Sequence, residues 1–108
     1  MTPLINAHQE LFRRYNQLAQ VNKDSLPSEQ VYRIHMMGIH AISHDDMYLE
    51  KLSEWLGFVQ GILYANGIIN IDEERKFSEI LLERAYKEMK VKPPNKIDIY
   101  QQLLDSWD

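Results

Sequence analysis

The stretch that decides the fold is Trp55-Leu56-Gly57-Phe58-Val59-Gln60-Gly61-Ile62-Leu63-Tyr64-Ala65. Gln60 is its one amide or charged side chain, and no proline interrupts it. Eleven residues are too few to cross a bilayer, which takes about 20. They suit a helix that is apolar on all sides, and such a helix must be covered on all sides. Gly57 and Gly61 lie four apart on one face of it. Each interior glycine costs about 1 kcal/mol relative to alanine, so close approach of another helix is expected there. That helix belongs either to the same chain or to a second copy, with Phe58 beside the crossing.

Working outward, Asn66-Gly67 supplies the left-handed residues that end a helix. Upstream, Ser43-x-x-Asp46 has the form of a capping box, which starts the central apolar helix at about residue 44 and carries it to 65. A second helix occupies about 27–42, with Val31, Ile34, Met37/Gly38 and Ile42 as its stripe. The first occupies about 3–21, opened by Pro3 and patterned by Leu4, Ala7/His8, Leu11, Tyr15, Leu18 and Val21. Asn70-x-x-Glu73 caps a fourth helix to about residue 90, facing inward through Phe77, Ile80/Leu81, Ala85 and Met89. Lys92-Pro93-Pro94-Asn95 stops it, and a short fifth helix is expected over 96–107, with Trp107 as a pin or an anchor. The reading is all-α: one domain over 1–108, a compact bundle of about five helices around the apolar one.

Composition narrows the function. The 108 residues carry 12 Lys+Arg against 16 Asp+Glu, a net charge of −4, which argues against a nucleic-acid binder. A helix-turn-helix at the second and third helices is the one DNA-binding arrangement the pattern allows. There is no cysteine, hence no disulfide, thiolate site or cysteine nucleophile. No apolar signal segment opens the chain and no stretch suits a membrane span, so a cytoplasmic protein is expected.

Two clusters carry candidate chemistry. His40 and His44 share a helical spacing, and with Asp45 they are the residue types that hold a divalent metal; His35 and Asp46 lie close by in sequence. Ser43 as a cap would turn His44 away from His40, and Asp45 and Asp46 also suit a helix N-terminus. The second cluster is Glu50, Glu54, Asp72, Glu73, Glu74, Glu79 and Glu83, whose oxygens suit magnesium in a nucleotide hydrolase. Interleaved Lys51, Lys76, Arg84 and Lys87 also fit a solvated ion-pair face. Arg13-Arg14 read as a solvated face, and Tyr32, Tyr48 and Tyr64 as core or stacking surfaces.

The segment Trp55 to Leu63, with Lys51 before it and Gly67 and Ile71-Asp72-Glu73-Glu74-Arg75 after it, resembles a run in small bacteriophage-encoded helical proteins of poorly known function. Glu54 stands where those segments carry an arginine. The resemblance implies a phage accessory protein acting in the host cytoplasm. The combined expectation is a non-enzymatic, homo-oligomeric binding protein, packed through Gly57, Gly61 and Phe58. It would block a host protein or sequester a nucleotide signal, with Arg33, His40, His44 and Trp55 as contacts and no cofactor. The alternative is a metal-dependent nucleotide hydrolase built on His40, His44 and Asp45, or on the glutamates.

Overall fold

A computed structural model of the chain describes residues 3–44 and 47–90. Among these are four α-helices and no strand: α1 (Pro3–Val21), α2 (Ser28–Ser43), α3 (Leu49–Ala65) and α4 (Ile71–Glu88), with a single 3-10 turn at Lys23–Ser25. The expected fifth helix with Trp107, and Asp45 and Asp46, lie outside the described residues. No described helix is long and apolar enough to cross a membrane.

Local chemistry sets most boundaries. Pro3 opens α1, where its missing N–H costs nothing. At the far end Asn22 Nδ2 donates to the Leu18 carbonyl at 2.8 Å, and buried Leu26 closes the turn. Helix α3 ends in a Schellman motif: Ile68 N–H donates to Leu63 O at 2.9 Å and Gly67 N–H to Tyr64 O at 3.0 Å. Gly67 sits at φ +73°, where a Cβ is strained. Asn70 then caps α4, its Oδ1 accepting from the N–H groups of Asp72 (2.9 Å) and Glu73 (3.2 Å).

The expected cap at Ser43 is not one. Ser43 is the last residue of α2, and α3 begins five residues beyond the predicted start, at Leu49. The cause is tertiary. Gln9 Nε2 of α1 donates to the Ala41 carbonyl at 3.0 Å, satisfying one of the acceptors a helix end leaves open and so supporting the last turn of α2.

The organising helix is also different from the expected one. It is α1 that packs against all three other helices, and α2 packs in turn on α3. Leu11, Phe12, Tyr15 and Ala19 of α1 are fully enclosed with Ile34, Leu52, Val59 and Leu63. Helix α3 buries one stripe, Leu52, Leu56, Val59 and Leu63, and leaves its opposite side outward. Gly57 and Gly61 are exposed, and a Cβ added to either meets nothing within 4 Å. Close packing within the described chain therefore does not explain them. Of the helical glycines it is Gly38 that lies buried where α2 meets α1; a Cβ there would sit 3.8 Å from Asn16 Cβ and 3.9 Å from Phe12 O, in ordinary van der Waals contact. On α4 the inward face is Glu74, Leu81 and Ala85; Phe77 and Ile80 are exposed.

Candidate functional site: the groove between α2 and α3

Helices α2 and α3 run antiparallel. Asn66 Nδ2, at the end of α3, donates to Gln30 Oε1 near the start of α2 at 3.2 Å, while Trp55 meets His40 toward the other end. Met36, Met37, His40 and His44 follow one another at intervals that keep them on one side of α2. That side faces Trp55. The result is a shallow groove of about 420 Å3 lined by Met36, Met37, Ile39, His40, His44 and Trp55.

The end of α2 brings its histidines together instead of parting them. His40 and His44 stack with ring centroids 3.9 Å apart and planes 13° from parallel. His44 is the residue after the helix, and its backbone N–H still donates to His40 O at 3.1 Å. Its ring Nδ1 lies 3.0 Å from the same carbonyl. A carbonyl can only accept, so Nδ1 is the donor, and in the neutral imidazole Nε2 keeps its lone pair. The Trp55 ring lies 5.4 Å from His40, tilted, and Lys51 Nζ stands 6.0 Å from the indole centroid.

Of the other predicted contacts, Arg33 does not line the groove. It is exposed and pairs with Glu29 one turn away at 3.4 Å. Phe58 is 46% exposed on α3, one turn beyond Trp55. Tyr32, Tyr48 and Tyr64 are all exposed. Among the described residues no three His, Asp or Glu side chains converge as a metal cage, and Asp45 lies outside them.

The glutamates separate as well. Glu50, Glu54, Asp72, Glu73 and Glu83 are exposed, whereas Glu74 is buried. Arg14 holds Glu74 with two bonds, Nε to Oε1 at 2.8 Å and Nη2 to Oε2 at 3.1 Å. That bidentate grip keeps the carboxyl below its ordinary range and raises the guanidinium. Arg14 is thus no free surface cation; it also lies 4.2 Å over the Phe77 ring. Beside the pair, the Tyr15 hydroxyl accepts from Gln60 Nε2 at 2.9 Å, and burial pushes it up to about 12. Nothing in the sequence pairs Arg14 with Glu74, sixty residues apart. Gln60 was the available signal, as the one amide in an apolar run.

His8 is the other buried titratable group. Its Nδ1 donates to Leu4 O at 2.8 Å, leaving Nε2 to accept from Ser53 Oγ at 3.2 Å. Burial lowers its pKa, against the opposing pull of the Leu4 carbonyl. These contacts are structural and lie away from the groove.

Comparison with family models, with curated proteins and with solved structures gives no match to this chain. The functional reading rests on the site itself.

Proposed function

We propose that the chain is a non-enzymatic binding protein that works as a homo-oligomer. The outward side of α3 meets a second copy, and the α2–α3 groove takes the ligand or partner. One observation carries this reading: Gly57 and Gly61 stand in the middle of a helix with open space around them, next to half-exposed Phe58. Two interior glycines cost the helix about 2 kcal/mol together. Nothing in the described chain offsets that cost, whereas a second helix crossing at that point would, by close backbone approach.

The groove supports binding more than turnover. It is open and mostly apolar, and its lining brings two imidazoles and an indole together with no carboxylate among the described residues. A nucleotide hydrolase needs oxygen ligands for its metal; buried Glu74 is already held by Arg14. The resemblance of the Trp55–Leu63 segment to phage-encoded proteins supplies the setting: a host cytoplasm, with a host protein to block or a nucleotide signal to sequester.

Light scattering and native mass spectrometry of the purified chain test the assembly. An oligomer is the expected result; a strict monomer at high concentration overturns the reading.

A further inference from the structure

We propose that the α2–α3 groove is closed in the resting chain by the chain's own residues 96–107, docked through the apolar stripe of Tyr100, Leu103, Leu104 and Trp107. The docking is independent of assembly. Only its consequence, that a partner must displace the segment, rests on the reading of the groove as the binding site.

The chain leaves α4 at the end of the bundle where the groove begins. Met89 packs with Leu49, at the start of α3, against Leu4 and Ala7 at the start of α1. The bond from Gln9 to the Ala41 carbonyl ties the end of α2 to that same end. His44, at the mouth of the groove, and Lys90, the last described residue, therefore share one end of the bundle. The five residues 91–95 reach up to about 16 Å, and Pro93-Pro94 favours an extended spacer. A helix is about 10–12 Å across, so this linker can pass round the start of α3 and enter the groove.

Apolar surface, length and charge agree with that occupant. Met36 and Ile39 are 45% and 43% exposed on α2, with Tyr32 exposed one turn before Met36. Clustered apolar exposure of this kind marks a binding surface. On α4, by contrast, Phe77 already lies under Arg14, and exposed Ile71 and Ile80 stand on opposite sides of the helix. Ile99 to Trp107 spans eight residues, about 12 Å as a helix, and Met36 to His44 spans the same eight. Residues 96–108 carry Lys96 against Asp98, Asp105 and Asp108, a net charge of −2. Lys51 is the cation beside the groove, and no described carboxylate lines it, so the charges are complementary. A partner for the groove then competes with this segment, and an amphipathic helix with the same apolar spacing is the kind that can replace it.

The test is thiol labelling of the full chain. There is no cysteine, so Ile39→Cys carries the sole thiol in the groove variant and Ile80→Cys the sole thiol in a control on α4. Maleimide labelling rates are measured for each, with and without Leu103→Asp/Leu104→Asp. A segment docked about nine-tenths of the time leaves about one-tenth of the thiol reactive, so the aspartates should speed labelling at position 39 by about tenfold. They should leave position 80 unchanged, and the ratio should hold on dilution, as a contact within one chain requires. Circular dichroism verifies that each variant is folded. Three results overturn the proposal: equal rates at position 39, acceleration at position 80 in place of 39, or a ratio that vanishes on dilution. They would mean, in turn, that the groove is open, that the segment lies on α4, or that it belongs to a second copy. Assembly is read separately by native mass spectrometry, so failure here is distinguishable from failure of the oligomer.

Discussion

Arg14 of α1 closes on Glu74 of α4 with two hydrogen bonds, at 2.8 and 3.1 Å, and the glutamate side chain it holds is 6% exposed. A buried carboxylate of this kind depends on its partner. Arg14→Met keeps the aliphatic bulk over Phe77 and removes the charge. It should destabilise the fold by about 2 kcal/mol, the scale of a hydrogen bond to a charged group. The full buried-pair range of about 3–5 kcal/mol is not expected, because the Arg14 side chain keeps 38% of its surface in solvent. Urea denaturation measures it, and an unchanged midpoint would show that Glu74 finds another partner.

Acid should weaken the fold in two steps. His8 is lowered from its ordinary 6.5 by burial, so above pH 6.5 it is neutral folded and unfolded, and stability is full. As pH falls below 6.5 the unfolded chain takes up the proton first, and stability drops until the folded pKa is passed. Glu74 is lowered from 4.5 by Arg14. Its contribution is complete above pH 4.5 and is lost as pH falls from there through the folded value. Denaturation curves between pH 8 and 3 should show both limbs. His8→Gln should flatten the upper one; an upper limb unaltered by that change would assign it elsewhere.

The glycines should respond in opposite ways. Gly67 has φ +73°, and Gly67→Ala should cost about 1–2 kcal/mol through left-handed strain. Gly57 and Gly61 are helical with open space where a Cβ would go. Alanine at either should stabilise the dissociated chain by up to about 1 kcal/mol. Thermal melts at high dilution read both effects, and a loss of stability from Gly57→Ala under dilution would reveal a close neighbour in the monomer.

What the sequence disclosed was what local chemistry decides. Asn66-Gly67 and Asn70 mark their helix ends because the groups they satisfy lie within a few residues. Ser43 misled because Ser-x-x-Asp has the form of a cap, while the bond that supports α2 through that point comes from Gln9, 32 residues earlier. The apolar run in α3 marked a helix correctly but not the centre of the fold. Apolar content does not say which stripe is buried, and α1 takes the central place with fewer apolar residues in stricter register. Half of the groove was legible. The spacing of His40 and His44 pairs them, but the approach of Trp55 and the exclusion of Arg33 depend on how α3 lies against α2. The tie between Arg14 and Glu74 spans 60 residues and left no local trace.

The central claim is that the open side of α3 at Gly57 and Gly61 receives a second copy. Native mass spectrometry of the wild-type chain beside Gly57→Leu/Gly61→Leu tests it most directly, since leucine at both positions blocks close helix approach and its Cβ meets nothing within 4 Å in the described chain. The account predicts an oligomer for the wild type and a folded monomer for the variant. A wild-type monomer, or an oligomer that survives both leucines, would contradict it.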